Sequence, residues 1–177
     1  MEESLVESSQ LDPGFKYEIA EEPGGEHIRR CFSCGTCTAG CPVRVVTERY
    51  NPRKIIRMAL LGLKEEVLSS DFIWLCSSCY TCYERCPQDV RITELMNAIK
   101  NIAVREGHIP PALRAQVDLI RSHGRLIEIG EFDNEKRTEL GLPAIHEKPQ
   151  DMARILEATG IASLGSESTA SREGNKQ

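Results

Sequence analysis

Apolar positions recur at steps of three and four through the middle of the chain, and nowhere alternate with polar ones for long enough to predict a strand. Ile55, Ile56, Ala59, Leu60, Leu63 and Val67 mark one face of a helix opening at Asn51-Pro52, where an N-cap residue precedes proline at the first helical position. A second helix is expected after Cys86-Pro87, with Ile92, Leu95, Met96, Ile99 and Ala103 on one side and Gly107 as its stop. A third runs from about Pro111 through Leu113, Val117 and Ile120 to Gly124. Shorter helices are expected near Asn134–Leu140 and Pro149–Thr159, each followed by glycine. The predicted fold class is mainly α.

The two ends read differently. Residues 1–24 are acidic and interrupted by Pro13-Gly14 and Pro23-Gly24-Gly25, which predicts an extended arm that gains order against a partner. Ser163 to Gln177 hold almost nothing apolar, so 161–177 is expected to be a disordered tail. Between these ends the expected organisation is a helical domain over 25–124 and a helical extension over 125–160.

Charge sharpens this picture. The 177 residues carry 22 bases against 27 acids, a formal charge of −5, so no global basic field exists and a protein is a better expected partner than a nucleic acid. The basic residues are local: 27–57 hold seven bases and one acid, with Arg29, Arg30, Arg44, Arg49, Arg53, Lys54 and Arg57 around the first four cysteines. No apolar run approaches the roughly 18 uncharged residues that cross a bilayer. The opening Met1-Glu2-Glu3-Ser4 lacks the basic and apolar regions of a secretory signal. The expectation is a soluble cytoplasmic protein whose eight thiols stay reduced and serve some purpose other than disulfide bonding.

The cysteines fall into two copies of one pattern, C-x2-C-x2-C-x3-C-P: Cys31, Cys34, Cys37 and Cys41-Pro42, then Cys76, Cys79, Cys82 and Cys86-Pro87. Three thiolates at steps of three can turn inward from one short loop and bind three corners of an iron–sulfur cube. The fourth corner must come from elsewhere. In two-cluster ferredoxins with this run, the fourth cysteine of one motif ligates the cluster held by the other. Carried over by position, one 4Fe-4S cluster takes Cys31, Cys34, Cys37 and Cys86, and the second takes Cys76, Cys79, Cys82 and Cys41. Pro42 and Pro87 suit the end of a ligand loop and the first turn of a following helix. Structural zinc usually takes two spaced pairs of ligands, and a disulfide scaffold fits neither the loop spacing nor the reducing compartment.

The 34 residues between Cys41 and Cys76 contain an amphipathic helix instead of short strands, which resembles the alpha-helical ferredoxin fold, seen also in the cluster domain of succinate dehydrogenase. Two oxidised cubes would bring the chain to about −9, and the local Arg/Lys excess is placed to offset that charge or to meet an acidic partner. Phe32, Trp74, Tyr80 and Tyr83 flank ligands and either screen the clusters from water or simply pack. No phosphate loop, dinucleotide fingerprint or Ser/His/Asp motif is present, and no cysteine is left over as a nucleophile.

The runs from Cys31 through Pro42 and from Trp74 through Pro87, with the basic helix from Asn51 and the compact length, resemble the small iron–sulfur C-subunit of heterodisulfide reductase from methane-forming archaea, over roughly residues 10–160. That resemblance implies an electron-transfer protein with two 4Fe-4S clusters and no catalytic residues of its own. It implies passage of electrons from a flavin-containing A-subunit to a catalytic B-subunit, which reduces the mixed disulfide of coenzyme M and coenzyme B in methanogenesis. It implies a hydrogenase or formate dehydrogenase upstream, and the membrane-bound form is not expected. Two readings compete: a similar wire in a lactate, glycolate, glycerol-phosphate or sulfur-metabolising complex, and a zinc-stabilised adaptor without redox activity.

Overall fold

The computed structural model describes residues 7–146 and 149–161. Among these residues there is no strand, and the chain divides into two compact units, Met1–His108 and Ile109–Gln177. The break falls at His108, ahead of the third helix, instead of after Gly124 where the sequence placed the end of the first domain.

The first unit is built on helix α4 (Pro52–Leu61) and helix α7 (Ile92–Arg105). Asn51 caps α4 as expected, its side-chain oxygen accepting the Lys54 N–H at 3.1 Å, with Pro52 in the first turn. The apolar period does not carry α4 on to Val67. Gly62 adopts a left-handed φ of 85° and closes the helix, and Val67 is buried from a separate short helix, α5 (Lys64–Leu68). Helix α7 buries Ile92, Leu95, Met96, Ile99, Ile102 and Ala103 in the middle of the core. It starts five residues beyond Pro87, because Asp89 and Arg91 are left-handed and delay it, so of the two prolines that follow a fourth cysteine Pro42 alone serves as the first residue of a helix, α3 (Pro42–Val46).

The expected extended arm is corrected over its described residues. Helix α1 (Phe15–Glu21) opens where Asp12 accepts the Gly14 N–H at 2.8 Å, and it packs on α4 and α7 with Phe15 and Ile19 fully buried. Two apolar residues four apart place both side chains on one face, and burial holds a helix too short to persist alone. The Asp12 N–H donates to the Gly62 carbonyl at 2.8 Å, and the Lys64 ammonium bonds Glu18 at 2.8 Å and Glu106 at 2.7 Å. The acidic residues that suggested an arm are thus partly paired within the fold.

The second unit holds α8 (Pro111–His123), α9 (Glu131–Glu139) and α10 (Pro149–Ala158), close to the helices expected there. Pro111 starts α8 and Gly124, at φ 71°, stops it, while α10 packs on α8. Asn134 exchanges two hydrogen bonds with the Ile145 backbone, at 2.8 and 3.1 Å, and so ties the following loop to α9. Leu156 is the one buried apolar residue among the described residues of this unit, and Ile127, Phe132 and Leu140 are exposed. The expected tail falls, apart from Ile161, outside the described residues.

Candidate cluster-binding sites

Both cysteine runs build the same loop. Each is entered through one turn of 3-10 helix, Ile28–Arg30 before Cys31 and Phe72–Leu75 before Cys76, anchored by the buried Ile28 and Ile73. The chain then takes two left-handed residues, Ser33 (φ 62°) and Gly35 (φ 88°) in the first copy, Ser78 (φ 51°) and Tyr80 (φ 61°) in the second. Interleaving such residues with right-handed ones turns successive backbone N–H groups toward one side, a concavity that suits an anionic cluster. Gly35 takes this conformation freely, whereas Tyr80 in the matching position carries a Cβ into it.

The third thiol of each run sits on a single helical turn, Cys37 on α2 (Thr36–Ala39) and Cys82 on α6 (Thr81–Glu84). These two turns pack against each other, which sets the two runs side by side. The fourth cysteine of the second run reaches the first. Cys86 joins Cys31, Cys34 and Cys37 in the wall of a narrow recess that Phe32, Val90, Ile92 and Arg53 also line. On the other side Cys76, Cys79 and Cys41 all act electrostatically on Cys82. The two runs thus lie beside each other, and their thiol donors suit a thiolate-bound cluster. Among the described residues no three His, Cys, Asp or Glu side chains are placed to hold a single metal ion.

Hydroxyl groups accompany the thiols. Cys34 Sγ lies 3.4 Å from Thr36 Oγ1, and the Cys79 thiol bonds Thr81 Oγ1 at 3.5 Å. These threonine hydroxyls, and then their backbone N–H groups, hold both exposed thiols below the usual thiol range. Burial acts the other way on the inner pair: it pushes Cys37 up to about 11 and raises Cys82, where the Thr93 hydroxyl at 3.6 Å opposes it. A bound iron would take the proton from a thiol, so at the inner positions a thiolate would persist only when held by metal. Cys86 Sγ accepts the Val90 N–H at 3.4 Å. The buried Tyr50 hydroxyl sits beside Cys76, and its pKa is raised first by burial and then by that partner.

Thr36, Thr81, Thr93 and Tyr50 were not picked out from the sequence. The first two had a signal, since threonine precedes the third cysteine in both copies. Of the flanking aromatics, Trp74 packs on the core beneath the Lys100 ammonium, and Tyr80 stacks at a tilt on Tyr83. Phe32 lines the first recess yet is 61% exposed. Arg30, Arg44 and Arg49 pair with Asp89, Glu48 and Asp71 respectively, while the Arg53 side chain lies along the ligand loop near Gly35.

Helical packing around the two cysteine runs defines an iron–sulfur protein of the alpha-helical ferredoxin class, and residues 27–90 match a 4Fe-4S dicluster domain family. The C-subunit of the H(2):CoB-CoM heterodisulfide,ferredoxin reductase of Methanothermobacter thermautotrophicus is 35% identical over 92% of this chain and 91% of its own length. The second iron-sulfur C-subunit of the CoB--CoM heterodisulfide reductase of Methanocaldococcus jannaschii is 43% identical over 80% of this chain and 78% of its own. The C2-subunit of the H(2)/formate:CoB-CoM heterodisulfide,ferredoxin reductase of Methanococcus maripaludis is 37% identical over 78% of both. The chain belongs to the heterodisulfide reductase C-subunit family. Among the described residues no helix is long and apolar enough to cross a membrane.

Proposed function

We propose that this chain relays electrons within a cytoplasmic heterodisulfide reductase, from a flavin-containing A-subunit to a catalytic B-subunit, without catalytic residues of its own. One 4Fe-4S cluster is held by Cys31, Cys34, Cys37 and Cys86, the other by Cys76, Cys79, Cys82 and Cys41. The observation that carries this reading is the recess where Cys86 meets the three thiols of the first run.

Each cluster, when bound, accepts and releases one electron at a time. The protein supplies what makes that useful. Thiolates fix the positions, and the packing of α2 on α6 keeps the two sets adjacent. Threonine hydroxyls and loop N–H groups face sulfur, stabilising negative charge on the thiolates. Val90 and Ile92 keep one wall of the first recess apolar. Reduction of the coenzyme M–coenzyme B disulfide needs two electrons and two protons, so two single-electron passages serve each disulfide cleaved in the catalytic neighbour. The names of two relatives mention H(2), and one of these adds formate, which supports a hydrogenase or formate dehydrogenase as the upstream source.

The test is anaerobic isolation with the associated proteins, followed by rapid reduction through the flavin-containing one. The clusters of this chain should reduce and then reoxidise when the heterodisulfide is added, with two thiols appearing. Isolation with a lactate, glycolate or glycerol-phosphate dehydrogenase, and no response to heterodisulfide, would refute it.

A further inference from the structure

A second, wider and more open groove runs beside the first cysteine loop, walled by Cys31, Phe32, Arg53, Lys54, Arg57 and Met58. Among the described residues no carboxylate lines it. Its three cations come from the exposed face of α4, with Arg53 and Arg57 one turn apart, a like-charge arrangement that destabilises a helix. None of the three forms an ion pair with a carboxylate among the described residues, unlike Arg30, Arg44 and Arg49 nearby. Contact with the ligand loop accounts for Arg53. Lys54 and Arg57 are left facing open space beside Phe32, a large exposed aromatic next to a ligand cysteine.

We propose that this groove is the docking site of an acidic protein surface that exchanges electrons with the cluster bound through Cys31. Carboxylates of the partner neutralise Lys54 and Arg57, and Phe32 gives the apolar centre that interfaces build around an aromatic anchor. Because Cys31 itself forms part of the wall, a partner seated there lies directly against a ligand of the cluster. Complementary charge of this kind sets orientation and speeds encounter. The proposal rests on the relay function above and assigns one of its two ports.

The test uses the anaerobically isolated complex. Zero-length carbodiimide coupling should join the Lys54 amine to a carboxylate of another protein of the complex, mapped by peptide mass spectrometry. The double variant K54E/R57E should keep its cluster absorption and paramagnetic spectra, yet bind the remaining proteins about tenfold more weakly at low salt, with a flattened salt dependence. Unchanged affinity of the variant, salt-insensitive binding of the native chain, or coupling of Lys54 only within its own chain or to a second copy would overturn the proposal. Should Lys54 couple to a partner from outside heterodisulfide reductase, the docking stands and the assigned complex fails. Should the heterodisulfide reductase proteins co-isolate and bind K54E/R57E like the native chain, the docking alone fails.

Discussion

The Thr38 hydroxyl donates to the Asn51 side-chain oxygen over 2.8 Å, and that same oxygen accepts the Lys54 N–H that opens α4. Thr38 also accepts the Arg53 N–H at 3.1 Å. One hydroxyl therefore couples the turn that carries Cys37 to the cap of the helix behind it. Thr38→Val keeps the shape and removes these bonds, and should lower stability by roughly 1–3 kcal/mol. Chemical denaturation of the iron-loaded protein measures this, and release of iron to a chelator from the first cluster should quicken while the second is unchanged.

Thr93 is the one buried polar residue of the described core, and its hydroxyl faces Cys82. Hydrogen bonds to cluster sulfur stabilise the reduced, more negative state and raise the potential. Thr93→Val should lower the potential of the cluster held by Cys76, Cys79 and Cys82 by roughly 30–60 mV, up to one tenfold step for a single electron. A redox titration followed by electron paramagnetic resonance reads it. An equal shift in both clusters would deny Thr93 this local role.

The N-terminal segment is part of the core. Phe15→Ala should cost about 3–5 kcal/mol by the usual penalty for emptying a buried aromatic site. Gly62→Ala tests the same docking from the other side, because a Cβ there would clash with the Asp12 carbonyl oxygen and Gly62 is left-handed. Urea unfolding of both variants, with protease cleavage near Asp12, should show the segment released. Stability equal to the native chain in Phe15→Ala would mean that α1 adds nothing.

Lys64 bridges Glu18 and Glu106, and the two carboxylates, Glu106 foremost, raise its pKa. Lys64→Met should lose about 1 kcal/mol, the scale of partly exposed ion pairs. Since the folded lysine holds its proton more tightly than the unfolded one, the contribution is complete below the ordinary lysine pKa of about 10.4 and is lost as pH rises through the folded value. Denaturation at pH 7 and pH 11 should therefore show a smaller difference between native and variant at the higher pH.

Local signals made much of this fold readable. Asn51-Pro52, Pro111 and Gly124 each mark a helix end through the chemistry of two or three adjacent residues. The break at Gly62 was hidden because the apolar period continues across it to Val67. Helix α1 was missed for a different reason: Phe15 and Ile19 are stabilised by α4 and α7, which lie far along the chain, while the acidic composition around them suggested an arm. The same distance hid Tyr50 and Thr93, whose partners are Cys76 and Cys82. The eight cysteines stood out because their spacing repeats in both runs. The meeting of Cys86 with the first run needs the folded chain to be seen, as 48 residues separate it from Cys37.

Crossed ligation by the two cysteine runs underlies the whole account, and Cys86→Ser tests it most directly. Iron, acid-labile sulfide and the low-temperature paramagnetic spectrum should be compared for the native and variant chains, both purified without oxygen. The native chain should hold about eight iron and eight sulfide, and the variant should lose or alter the cluster of Cys31, Cys34 and Cys37 while the other keeps its signal. A folded native chain free of sulfide, or damage confined to the cluster of Cys76, Cys79 and Cys82, would contradict the account.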